Sequence, residues 1–173
     1  GFSGALSSDG SRLAAGGYDN DANGSNAGHV RVFDWDENQS TWTQVGGDLN
    51  GEASGDRFGW SIALSSDETR LAVGAIYNDG GGSNAGHVRV FEESGGTWTQ
   101  VGTDIYGEGA GDPFGFSAAL SSDGSRLAAG GYYNDDNGSN AGHVTVLDWD
   151  GTQSPRTQVG GDMNGEASGG RVG

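Results

Sequence analysis

The chain has no cysteine and no lysine, and only two prolines and one methionine among its 173 residues. Without cysteine there is no disulfide framework, zinc–thiolate site, iron–sulfur cluster or thiol nucleophile. Without lysine, eight arginines stand against 24 acids and the net charge is −16. The basic footprint that grips a phosphate backbone is therefore missing, and nucleic acid is excluded as a partner. Cations, basic protein surfaces and neutral polar surfaces such as glycans remain. No apolar run approaches the roughly 20 residues of a membrane-spanning helix, and no segment shows capped helical periodicity, so almost no helix is expected. No leader peptide is visible, but the chain starts at Gly1 inside a repeat, so that absence carries no information.

What the chain does have is glycine, 36 residues of it, at recurring positions between short apolar segments. Fixed glycines mark turns and close backbone approaches rather than a flexible chain. One phrase is written three times. Its middle copy reads Phe58-Gly59-Trp60-Ser61, Ala63-Leu64-Ser65-Ser66-Asp67, Arg70-Leu71-Ala72-Val73-Gly74-Ala75 and Ser83-Asn84-Ala85-Gly86-His87-Val88-Arg89-Val90-Phe91. Leu6 and His29, Leu64 and His87, and Leu120 and His143 are each 23 residues apart, and the copies follow one another at 56 to 58 residues. Such a period signals one supersecondary unit that buries its faces against its neighbours. The units run 1–56, 57–112 and 113–173.

Each unit divides into four short strands. In the first they are Phe2 to Leu6, Arg12 to Gly17, His29 to Trp35 and Thr41 to Leu49, separated by polar, Gly- and Ser-rich turns. In the third strand Val30 and Val32 point one way, and His29, Arg31 and Phe33 the other. The one length change falls in the turn between strands three and four, where Phe33 to Trp42 spans nine steps and Phe91 to Trp98 seven. Hairpin turns absorb such a change and ladders do not. The expected fold is all-β: β-propeller blades built as three four-stranded antiparallel meanders, either part of a propeller or half of a six-bladed ring.

A meander also decides which loops are neighbours. The connections from strand two to three and from strand four to the next unit share one face. That face is expected to carry Asp19, Asp21, Glu52, Asp56, Asp79, Glu108, Asp112, Asp135, Asp136 and Glu166, offset chiefly by Arg57 and Arg171. It is the expected binding face.

Phe58-Gly59, followed some fifteen residues later by Gly74-Ala75-Ile76, resembles the FG-GAP repeat, the blade unit of the integrin α-subunit β-propeller and of many secreted or cell-surface proteins of bacteria and algae. The third copy keeps Phe114-Gly115 but has Gly130-Gly131-Tyr132, the first has Gly16-Gly17-Tyr18, and the motif's proline is nowhere retained. The resemblance implies one four-stranded blade per repeat and an extracellular, cell-surface or lumenal setting. It also implies calcium in an aspartate-rich loop between the first two strands of a blade. Here Ser7 to Ser11, Ser65 to Thr69 and Ser121 to Ser125 each offer one aspartate, whereas calcium takes six to eight oxygens. No cofactor is expected from those turns.

Asp19, Asp21, Asp135 and Asp136 lie in oxygen-richer loops that outwardly resemble calcium loops, but Asn, Asp and Gly also close such turns by bonding their own backbone. The three histidines fall in three blades and are expected to pack structurally. Trp42 and Trp98, with Arg156 as the third-copy counterpart, are expected in blade-to-blade contact, with sugar stacking as the minority role. Asn23, Asn38 and Asn137 fit the N-glycosylation acceptor pattern in loops. No nucleophile elbow, phosphate loop or metal-spaced histidine pair is present, so no enzyme activity is expected.

Closed propellers take about four to eight blades. Three blades are therefore expected to join further blades of the same protein, other subunits, or a second copy that closes a six-bladed ring. The expected function is a non-catalytic scaffold for protein–protein interaction or adhesion. The alternative is a carbohydrate-binding module with one site per blade.

Overall fold

The computed structural model describes residues 2–135, 137–149 and 157–173. The first sheet comprises β1 (Ser3–Leu6), β2 (Arg12–Gly17), β3 (His29–Asp36), β4 (Thr41–Gln44) and β5 (Leu49–Asn50). The second comprises β6 (Phe58–Leu64), β7 (Arg70–Ala75), β8 (His87–Ser94), β9 (Thr97–Gln100) and β10 (Ile105–Tyr106). The third comprises β11 (Phe114–Leu120), β12 (Arg126–Gly131), β13 (His143–Asp148), β14 (Thr157–Gln158) and β15 (Met163–Asn164). Among the described residues there is no helix, and every ladder within a sheet is antiparallel, in meander order. The all-β reading and the propeller blade are what the chain adopts.

One strand differs from expectation. The fourth strand is not continuous from Thr41 to Leu49. It is two pieces, β4 and β5, which pair with opposite ends of β3. The break falls at Gly46-Gly47, and Gln44 Nε2 closes it by donating to Asp48 Oδ1 at 2.8 Å and to Gly46 O at 3.3 Å. Gln100 and Asp104, at 2.6 Å, and Gln158 and Asp162, at 2.8 Å, repeat the clasp.

The core lies between sheets. Along β7 the pleat sends Leu71, Val73 and Ala75 into a cluster with Ala14, Val30, Val32 and Phe58 of the first interface. Ala72 goes the other way, to Val88, Val90, Phe114, Leu127 and Ala129. The same phrase therefore meets different surroundings. In β3 only Val30 and Val32 are buried and Arg31 is exposed, whereas His87 to Phe91 are all buried in the middle sheet.

Successive sheets are joined by the Phe-Gly step. Phe58 is fully buried against the preceding sheet and makes an isolated parallel bridge with Gly28, its N–H donating to Ala27 O at 2.9 Å. Gly59 takes φ +89°, and a β-carbon there would lie 2.7 Å from His29 O. Its opposite number is Gly16, where a β-carbon would lie 2.5 Å from Gly59 O. Gly74 and Gly115 repeat the contact at 2.1 Å, and Gly130 and Gly173 at 2.6 Å to the α-carbon. Val172 bridges Gly142 as Phe58 bridges Gly28. The glycines of the repeated phrase are thus the two sides of a backbone-to-backbone joint.

Gly28→Ala should test that joint, because Gly28 has φ +83° and its β-carbon would lie 2.1 Å from Phe58 O. Left-handed strain of about 1–2 kcal/mol adds to the cost of displacing backbone. Urea unfolding should show a loss of at least about 2 kcal/mol. Gly47→Ala, in open space without positive φ, should stay within about 0.5 kcal/mol of the parent.

Candidate binding face

The connections that the meander places on one face are bonded to each other. Gly51 N–H donates to Gly28 O at 2.9 Å and Gly55 N–H to Ser25 O at 2.8 Å. Asn23 Nδ2 donates to Gly51 O at 2.7 Å. The middle and third units repeat the backbone bonds through Gly107 and Gly111, and through Gly165 and Gly169. Asn137 Nδ2, like Asn23, ties its loop to the next connection, donating to Gly165 O at 2.7 Å. Two of the three glycosylation candidates thus use their side-chain nitrogens structurally, while Asn38 lies exposed in the turn between β3 and β4.

Seven of the expected acids are exposed on this face: Asp19, Asp21, Glu52, Asp79, Glu108, Asp135 and Glu166. Asp136 lies outside the described residues. In Asp21, Asp79 and Asp135 one oxygen is engaged locally, accepting from the backbone N–H of Asn26, Asn84 and Asn140 at 2.6–2.8 Å. These oxygens close the loop on itself, which is the turn chemistry weighed against calcium.

Asp56 and Asp112 do not belong to the face. Both are 3% exposed, because each reaches inward to an asparagine of the next sheet. Asn78 Nδ2 donates to Asp56 Oδ2 at 3.0 Å, and Ala53 N–H to the same oxygen at 3.0 Å. Asn134 Nδ2 donates to Asp112 Oδ2 at 3.3 Å. A loop carboxylate reads as solvated in a sequence; its partner, 22 residues later in the following unit, reveals it as an interior tie.

The tryptophans also part company. Trp98 is 7% exposed within the first interface, which leaves no ring face for a sugar. Trp42 is 38% exposed and sits 5.4 Å, ring to ring, from Trp35, its cross-strand partner. Arg156 lies outside the described residues.

An aromatic row had no place in the sequence-based reading. Trp60 and Phe116, on β6 and β11, and Phe2, immediately before β1, hold one repeat position. Phe2 and Trp60 are 5.0 Å apart, Trp60 and Phe116 5.7 Å, and Tyr18 and Tyr132 pack against the row at 4.6–4.9 Å. Arg57 lies over Tyr18 at 5.4 Å and Tyr77 at 5.1 Å, and Arg171 over Tyr132 at 5.1 Å. The signal was present as an aromatic following Gly1, Gly59 and Gly115, and an arginine two residues before Gly59 and Gly173.

Residues 50–91, the span that contains this joint and its loops, match the FG-GAP repeat family. The match lies within one repeat period of the three. No curated protein matches the chain by sequence. Among solved structures, a candidate 6-phosphogluconolactonase from Bacteroides uniformis is similar with TM-score 0.61 at 14% identity, over 91% of this chain and 39% of that one. A candidate enzyme of the same description from Bacteroides fragilis gives TM-score 0.59 at 17% identity, over 95% and 40%. The Cps50 (Swd1) β-propeller domain of Myceliophteria thermophila gives 0.52 at 14%, over 91% and 38%. At such identities the likeness is one of fold, and the fold is the β-propeller. The chain spans about 40% of the length of these structures.

Within the propeller blades one polar cluster is set apart. His87, fully buried, faces Asp104 across 3.4 Å, and Tyr106 donates its hydroxyl to Asp104 at 3.1 Å. Arg89 turns from that carboxylate to Asn50 O at 2.8 Å and to Glu52 at 3.6 Å. In the first blade Arg31 instead pairs with Asp48 through two bonds of 2.8–2.9 Å. The His87 ring beside Asp104, helped by Gln100 and Tyr106, holds that carboxyl down to about 2, against the opposing effect of burial.

Two outcomes follow from these contacts. Asp56→Ala removes the close acceptor of the buried Asn78 amide and of Ala53 N–H, leaving Asn78 only the 3.5 Å contact to Glu52, and chemical denaturation should show a loss of about 1–3 kcal/mol. Asp104, depressed from an ordinary value near 3.9, stabilises the fold above about pH 4. That contribution disappears as pH falls through the folded value near 2. Asp104→Asn should therefore flatten the acid limb of the stability–pH profile between about pH 4 and 2, measured by urea unfolding at each pH.

Proposed function

We propose that this chain is a non-catalytic β-propeller scaffold that presents its acidic loop face to other proteins, in adhesion or as an accessory subunit of an extracellular or lumenal assembly. The observation that carries this reading is the face itself: paired loops, bonded to each other in every blade, hold seven exposed carboxylates on a rigid frame. Rigid display of one charge sign steers encounter with a basic partner. Among the described residues no helix is long and apolar enough to cross a membrane. The acids recur at equivalent positions, which suits a repeated surface better than a single reaction centre, and we propose no enzyme activity.

Exposed aromatics on the same face, Tyr77 and Tyr133, each within cation–π distance of an arginine, support a second reading as a carbohydrate-binding module, since sugars stack on such rings. The two readings separate by experiment. Crosslinking in extracts of the native source should retain partners on the parent protein that the triple variant Asp79→Asn, Glu108→Gln, Asp135→Asn loses, with binding weakened by added salt. A glycan array should stay blank. Reproducible binding to a defined sugar, abolished by Tyr77→Ala, would replace the scaffold with the lectin.

A further inference from the structure

The polar cluster between the first two blades has the composition of a transition-metal site. We propose that Glu52, His87 and Asp104 bind one divalent metal ion of the zinc class, bridging the connection that leaves the first blade and the third strand of the second. Among the described residues this is the one place where three such side chains bring ligand atoms within 4.8 Å of one another. It is separate from the turns between first and second strands and from the Asp19 and Asp135 loops.

The independent observation is His87. It is fully buried, and neither ring nitrogen has a hydrogen-bond partner. A buried imidazole without a well-formed hydrogen bond carries a free-energy cost comparable to a lost hydrogen bond. Its Nδ1 lies 3.4 Å from Asp104 Oδ2. Ligands bound at about 2.0–2.1 Å in a tetrahedron stand roughly 3.3 Å apart, so this pair is already at bonding separation for a shared ion. Glu52 completes the set by moving inward, and it can, because it is exposed on a loop.

The supporting contacts fit. Gln100 and Tyr106 hold the two oxygens of Asp104 at 2.6 and 3.1 Å, as outer partners orient a metal-bound carboxylate. Arg89 is the opposing charge, 3.6 Å from Glu52. Because an imidazole is required, the site favours zinc, nickel or cobalt over calcium and magnesium, which take oxygen ligands. Among the described residues the other two units assemble no such trio; in the first, Asp48 is taken by Arg31.

The test is calorimetric titration of the untagged chain with zinc, beside cobalt as a spectroscopic probe. The expected result is one strong zinc site per chain, cobalt d–d absorption of a low-coordinate complex, and no comparable site for calcium. Glu52→Gln, on an exposed loop, should fold as the parent does and lose affinity by at least about 10-fold, as should Asp104→Asn; loss of a merely supporting partner costs about 10–100-fold. His87→Gln should abolish the cobalt spectrum. If His87→Gln does not fold, zinc-induced shifts of the His87 ring resonances in the parent decide the matter. Zinc binding that is unchanged in Glu52→Gln and Asp104→Asn, or that leaves the His87 resonances in place, overturns the site and assigns the metal to the acidic surface.

Discussion

Everything in this chain depends on backbone meeting backbone where no side chain can enter. Each sheet offers a glycine in its second strand, and a glycine of the segment that follows the sheet lies against it: Gly16 with Gly59, Gly74 with Gly115, Gly130 with Gly173. The phenylalanine beside it fills the space under the preceding sheet and stitches the two by a parallel bridge. The glycine joint fixes the distance between sheets; the apolar residues of β7 and β8 then have a defined gap to fill from both sides. Close packing on both faces is what turns a two-faced strand pattern into a stack of blades.

The joint also accounts for the face. Because the parallel bridge brings Gly28 to Phe58, the loop that ends at Gly28 and the connection that ends at Arg57 must run side by side. Their hydrogen bonds and the inward tie from Asp56 to Asn78 follow from that proximity. Exposed carboxylates are left on the outside of a frame whose inside is already committed. The aromatic row sits at the inner end of the same frame, where first strands of successive blades converge.

Much of this was legible in the sequence. The period gave the blade, alternation gave the strand faces, and the indel between Phe33 and Trp42 located a turn. What escaped has physical causes. The break in the fourth strand was signalled by Gly46-Gly47, but apolar residues on either side masked it. Asp56 and Asp112 look like loop acids, and only the next blade, through Asn78 and Asn134, shows that they are interior. Trp42 and Trp98 occupy one repeat position, yet one is exposed and the other buried, because the blade pair around each differs. His87 could be placed as packed, but its relation to Glu52 of the preceding blade required three dimensions. Repeat logic predicts what every unit shares, and misses what arises between two particular units.

The split outer strand has a consequence for edge-to-edge aggregation. An all-β chain built from near-identical units is exposed to amyloid-like growth, since one molecule's outer edge can template another's. Among the described residues that edge is no longer than four residues before a glycine notch, at Gly46, Gly102 or Gly160, interrupts it, and in the first unit the clasp from Gln44 to Asp48 closes the notch. The feature that shortens each blade's outer edge is thus also a guard against fibrils, placed where recruitment of a further strand would begin.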